Sequence, residues 1–207
     1  MTTIPVFPLG SVLFPHMPLA LRLFEPRYLR MLGDLLGRSE PEFGEVLIER
    51  GHEVGGGDQR FTVGTMARIL KVEALEGFMA VTVRGSTRFR VSAWLPDDPY
   101  PRAEVDFMPS LEWDGSLEPL RTQAEATVRH ALTLVGESRD SWPADVQLSD
   151  DPVAACWQLS AITPVGPIDQ LWMLQASSLA ELLSRTAGFA GEAAETMSAD
   201  WPDPPGD

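Results

Sequence analysis

The hydrophobic period of this chain changes once, near residue 108, and that change limits the folds open to it. Before it, apolar residues recur at every second position in short runs. Met79, Val81 and Val83 alternate with Ala80, Thr82 and Arg84, and Phe89, Val91 and Ala93 alternate with Arg88, Arg90 and Ser92. A period of two is that of a half-buried strand. After it, Leu117, Leu120, Ala124, Val128, Ala131 and Val135 recur every three or four positions and fall on one side of a helix. Strands followed by helices, without alternation, describe an α+β chain. A length of 207 residues, 44% of them hydrophobic, suffices for one or two packed subdomains. The expected organisation is a β-rich subdomain over residues 1–108, a helical bundle over 109–190, and an acidic, proline-rich flexible tail over 191–207.

Local signals fill in this frame. Val46-Leu47-Ile48 after Gly44, and the long run from Phe61 to Leu75, read as strands. Glu76-Gly77 between Leu75 and Phe78 is a hairpin connection in which glycine takes positive φ. Gly85 interrupts a strand pattern and suggests a bulge or a barrel corner. Gly51 to Asp58 reads as a mobile surface loop. One amphipathic helix interrupts the strands from Glu25 to Leu36, with Pro26 at its start and Tyr28, Met31, Leu32 and Leu35 on its apolar side. In the second half, Ser116 is a helix cap, Asp151-Pro152 starts a second helix, and Gly166-Pro167 opens a short third helix through Leu174. Ser178 with Glu181 forms a capping box for a fourth.

Charge narrows the partners. Residues 1–108 hold 12 basic and 14 acidic side chains, a net of −2, whereas residues 109–207 hold 4 and 16, a net of −12. Together these give −14, a field that repels nucleic-acid backbones and anionic membrane surfaces. No apolar run approaches the ~20 residues of a membrane span, and the N-terminus lacks the basic and apolar regions of a secretory signal. The single cysteine, Cys156, leaves no internal disulfide. These features point to a cytoplasmic protein.

Four ordered segments carry a family resemblance. The first is Ile4-Pro5-Val6-Phe7-Pro8-Leu9, then Val12-Leu13-Phe14-Pro15, then Leu19 to Tyr28 with Phe24-Glu25-Pro26-Arg27-Tyr28. The others are Phe43-Gly44-Glu45-Val46-Leu47-Ile48, Val63 to Ile69, and Gly85-Ser86-Thr87-Arg88-Phe89-Arg90-Val91. In this order and spacing they resemble the LON domain, the substrate-recognition domain at the N-terminus of Lon proteases, from about Ile4 to Val105 and more weakly to about Gly188. The resemblance implies a small twisted β-barrel of PUA-like fold followed by an all-α bundle. It also implies a bacterial, free-standing form of the domain, because the ATPase and protease parts of a Lon protease have no counterpart here. A P-loop needs Gly-Lys-Ser or Gly-Lys-Thr, and a Ser–Lys dyad needs an activated lysine. Neither tripeptide occurs, and Lys71, the sole lysine, sits in a strand pattern.

Other chemistries find few residues. His16, His52 and His130 have no histidine partner at helical spacing, and one cysteine cannot complete a structural zinc set. Cys156 lies on an apolar stripe beside Trp157, the setting of a buried, inert thiol. No Gly-x-Ser-x-Gly elbow occurs. The expectation is therefore no catalytic residue, no metal and no cofactor.

Two groups stand out as binding candidates. Glu25, Arg27 and Arg88 form either a polar contact for a bound peptide or a structural tie, with Glu25 paired to one arginine. Phe14, Pro15, Met17 and Phe24 are either core or the lining of an apolar groove, since the stretch from Val12 to Phe24 shows no regular period. The function implied by the resemblance is a non-catalytic module recognising unfolded or apolar protein segments, as an adaptor or regulator of proteolysis partnered with a protease. An RNA-binding PUA-like module, served by Arg84, Arg88 and Arg90, is the alternative, and an unrecognised hydrolase ranks last. The partner is expected on the β-rich half or in the crevice between the halves.

Overall fold

The hairpin at Glu76-Gly77 organises the first half. In the computed structural model Gly77 takes φ +84°, and Leu75 and Phe78 pair directly across the turn, as the sequence indicates. The structure describes residues 2–50, 59–136 and 142–199; the Gly51–Asp58 loop and residues 200–207 of the expected tail lie outside them. The strands are β1 (Thr2–Leu9), β2 (Pro18–Leu23), β3 (Glu42–Arg50), β4 (Gln59–Leu75), β5 (Phe78–Leu95) and β6 (Arg102–Phe107), with helix α1 (Pro26–Leu36) between β2 and β3. They form one sheet in the order β2-β5-β4-β3-β1-β6, and β6 also pairs with β5. Five strands therefore close a ring, the arrangement of a small barrel. The β1–β3 pair is parallel and the others are antiparallel.

Inside that ring lie Ile4, Val6, Val46, Met66, Phe89, Val91, Ala103 and Val105. Phe89 is fully buried, and Gly44 and Gly64 make room for it. A Cβ at either position would come within 2.7 Å of its ring. The opposite side of the same strands carries a second row, in which Phe7, Glu45, Thr65 and Arg88 are successive cross-strand neighbours. Phe7 packs edge-on against Tyr28 of α1, ring centroids 4.2 Å apart, so α1 buries its apolar side on the outside of the ring.

Strand β5 changes partner along its length. Met79 to Arg84 pair with β2, and Phe89 to Leu95 pair with β6. The change falls at Gly85. Its N–H donates to the Met17 carbonyl at 2.9 Å and its carbonyl accepts from His16 N–H at 2.8 Å. Pairing with β4 slips by one residue between Gly85 and Arg88, which is a bulge. The φ of Gly85 is not positive, however. The position needs glycine because the Phe14 backbone crosses it, leaving a Cβ only 2.1 Å from the Phe14 carbonyl oxygen. His16, exposed at the same crossing, takes φ +66°.

The chain divides into two compact units, Met1–Leu111 and Glu112–Asp207. The second is helical: α2 (Glu118–Val135), α3 (Pro152–Ile162), α4 (Pro167–Leu174) and α5 (Leu179–Ser198). Its caps differ in part from expectation. A 3₁₀ turn over Gly115–Leu117 precedes α2, and the cap of that turn is Asp114, whose side chain accepts from Ser116 N–H at 2.7 Å; Ser116 is not the cap. Asp151 caps α3 by accepting from Ala154 N–H at 2.7 Å. Ser178 caps α5 through Glu181 N–H, while the Glu181 carboxylate returns to Ser177 instead of Ser178. Helix α5 continues through Gly191 to Ser198, so the expected tail is helical over its first residues. Ala190 and Ala194 are buried along that stretch, and burying them offsets the helix cost of glycine.

Candidate functional site

The stretch from Val12 to Phe24, expected to lack a period, resolves into two parts. Its second part is β2, a regular strand with Leu21 and Leu23 buried and Ala20 and Arg22 exposed. Its first part is an irregular segment laid over the outer row of the barrel. Leu13, Phe14, Pro15 and Met17 are buried there, Phe14 at 1% exposure and Met17 at 8%. This corrects the groove reading for Phe14, Pro15 and Met17, which are core. The segment is anchored by Leu13 N–H donating to Glu45 Oε2 at 3.1 Å and by the backbone crossing at Gly85.

Phe24 is different. It is 53% exposed at the end of β2. It stands on the wall of a cleft of about 320 Å³ whose other walls are Phe7 and Leu9 of β1, Ala20 to Leu23 of β2, and Glu25 and Tyr28 at the start of α1. Glu25 accepts from Arg27 Nε at 3.1 Å, both side chains less than one fifth exposed, and the Arg27 guanidinium lies 4.5 Å from the Tyr28 ring centroid. The expected pairing of Glu25 with an arginine is thus with Arg27. Arg27 Nη2 is buried and makes no hydrogen bond among the described residues.

Arg88 does not line this cleft. It is 4% exposed and donates through Nη2 to the Pro109 carbonyl at 3.1 Å, while Met108 N–H donates to the Arg88 carbonyl. Burial lowers its pKa from the usual arginine value to about 10, which leaves it charged at neutral pH. Arg88 ties β5 to the chain leaving β6. The cluster of Arg84, Arg88 and Arg90 is consequently not a surface cluster, because its middle member is buried on the outer row of the barrel while the other two are exposed.

Beneath the irregular segment sits a residue the sequence reading passed over. Glu45 is 1% exposed and fully enclosed. Burial raises its pKa to about 8, against the smaller opposite pull of the Leu13 amide. Its Oε1, and the Oγ1 of its cross-strand neighbour Thr65, are buried without a hydrogen-bond partner among the described residues. The signal for Glu45 was present: a glutamate between Gly44 and the apolar run Val46-Leu47-Ile48 occupies a strand buried on both sides.

In the second unit a polar cleft of about 510 Å³ is lined by Trp113, Arg121, Arg129 and Asp150 among others. Arg121 bridges Glu118 and Glu125, and Arg129 binds Glu125 and the carbonyls of Ala144 and Val146, so these charges are engaged internally. Cys156 is buried, and burial raises its thiol pKa to about 11, far from a reactive thiolate. Lys71 is exposed and pairs with Glu73 at 2.9 Å. Among the described residues no group of three metal-ligating side chains converges, and no helix is long and apolar enough to cross a membrane.

Residues 3–189 match the family model described as the ATP-dependent protease La (LON) substrate-binding domain. Over 138 residues, 64% of this chain, the sequence is 35% identical to Lon protease 2 of Sorangium cellulosum. It is 27% identical over 189 residues to Lon protease of Escherichia coli K12. The chain spans only 17% and 23% of those two proteins. In structure it is similar to a Lon N-terminal domain protein from Xanthomonas campestris, with TM-score 0.63, 25% identity, and 91% and 98% of the two chains covered. The N-terminal domain of a Mycobacterium avium complex Lon protease shares the fold, with TM-score 0.66, 17% identity, and 92% and 99% covered.

Proposed function

The chain belongs to the LON substrate-binding domain family, and from that footing we propose that it is a non-catalytic module that takes up unfolded or apolar protein segments through the cleft beside β2. The observation that carries this reading is the half-exposed Phe24 on the wall of an apolar cleft built by Phe7, Leu9, Leu21, Leu23 and Tyr28. Desolvating such a surface supplies affinity without demanding one sequence, and an aromatic ring at its mouth is a suitable anchor. The net charge of −14 favours clients with basic flanks and steers them by long-range attraction. Acting next to a protease, such a module is an adaptor or regulator of proteolysis. The RNA alternative loses support from the burial of Arg88.

The test is a titration of reduced, carboxamidomethylated lysozyme, an unfolded basic chain, against the parent protein and Phe24→Ser. Because Phe24 is half exposed, the substitution is expected to leave the melting temperature nearly unchanged and to weaken binding about tenfold, the loss of one interface anchor. Equal affinity in a folded variant removes the cleft from consideration.

A further inference from the structure

The cleft has a neighbour that an apolar pocket alone does not require: an open strand edge. Among the described residues β2 pairs with β5 and with no other strand, and no backbone hydrogen bond reaches Pro18 to Leu23 from its second side. The direction of its free groups follows from the ladder. Met17 accepts from Gly85 N–H, and the register continues as Pro18 opposite Arg84. In an antiparallel pair the residues alternate between facing the partner and facing away. Leu19, Leu21 and Leu23 therefore spend their main-chain groups on β5. Pro18, Ala20 and Arg22 turn theirs to the open side, offering the N–H groups of Ala20 and Arg22 and three carbonyls. Arg22, the charge that could screen this edge, is drawn over the Phe78 ring, 4.1 Å from its centroid.

We propose that an extended segment of a client protein adds as a strand along the open edge of β2, exchanging main-chain hydrogen bonds with Ala20 and Arg22 while an apolar side chain enters the cleft beside Phe24. This rests on the peptide-binding reading above and specifies its mode. The residues of β2 that present the edge, Ala20 and Arg22, are themselves among those lining the cleft, with Leu21, Leu23 and Phe24 between and beyond them. A helix cannot satisfy a strand edge, because its own N–H and C=O groups are already paired; an extended chain can. Strand addition also explains how a client of loose sequence preference could be held, since the hydrogen bonds are made by backbone and alternate side chains alone meet the cleft.

The probe is a fluorescein-labelled octapeptide of alternating leucine and threonine with a lysine at each end, followed by anisotropy. A series of the same peptide carries a single N-methyl group at successive backbone nitrogens. Strand addition predicts at least tenfold weaker binding for methylation at every second position and little change at those between. A second arm uses Ala20→Pro, which removes a donor from the open edge without touching the β5 ladder, and which is expected to weaken the parent peptide about tenfold at an unchanged melting temperature. If the peptide binds and Phe24→Ser weakens it, but methylation shows no alternation, strand addition is overturned and the cleft reading stands. If the peptide does not bind, or binds Phe24→Ser as tightly as the parent, both fall.

Discussion

Two buried positions in the first unit define what single residues contribute. Gly85 lies under the Phe14 backbone, with no space for a side chain. Gly85→Val is expected to lower stability by about 1–3 kcal/mol or more through overpacking, and thermal melting measures it; an unchanged melting temperature would mean that residues 13–17 can lift away freely. Glu45 makes stability depend on pH. Its carboxyl ionises near 4.5 when unfolded but only near 8 when folded. The protonated form is thus favoured by folding, and the contribution is fully present below pH 4.5 and lost as pH rises through 8. Glu45→Gln keeps an acceptor for Leu13 N–H and cannot ionise. Its advantage over the parent should grow by about 1.4 kcal/mol per pH unit across this window, on the order of 3 kcal/mol by pH 7. Denaturant melts at pH 5, 6, 7 and 8 test this, and a gap that stays constant would contradict it.

At the scale of elements, the irregular segment from Val12 to Met17 covers the barrel's outer row and buries Leu13, Phe14, Pro15 and Met17. The double change Phe14→Ser with Met17→Ser is expected to cost ~4–8 kcal/mol and unfold the first unit; circular dichroism showing a native melt would return these residues to the list of surface contacts. The segment misled because apolar content without a period fits core and groove equally. Burial of Phe14 comes from a backbone crossing at Gly85, 71 residues ahead in sequence, and no local pattern reports it. Strands with clean alternation, β5 and the hairpin at Gly77, were legible. Strand β1 was harder, since Pro5 and Pro8 break its pattern, although both are buried in the sheet. Helix starts were legible where an acidic or hydroxyl cap stands next to an apolar run, as at Asp151 and Ser178. They were less so at α2, where Asp114 caps a 3₁₀ turn first. Of the binding candidates, Glu25 and Arg27 come together as their types suggested and Phe24 is exposed. Arg88 lies away from the cleft lining because the sense in which a strand residue faces depends on a bulge the sequence only hinted at.

At the scale of the whole molecule, the chain matches a substrate-binding domain and spans only 17% of the Sorangium protease to which it is 35% identical. Purified protein incubated with ATP, and separately with casein, is expected to show no turnover, because the sequence holds no Gly-Lys-Ser or Gly-Lys-Thr and its sole lysine, Lys71, is exposed and paired with Glu73; turnover that follows the protein peak through repurification would overturn this. On the proposed reading the function rests on binding, and on binding in one place. Hydrogen exchange by mass spectrometry, with and without reduced, carboxamidomethylated lysozyme, locates that place without any mutation. Slower exchange is predicted for fragments covering Phe7 to Leu9 and Pro18 to Tyr28, with the largest effect at Ala20 and Arg22, whose amides face outward. Protection confined to fragments from Glu112 onward, or no protection at a concentration where the complex forms, would contradict it.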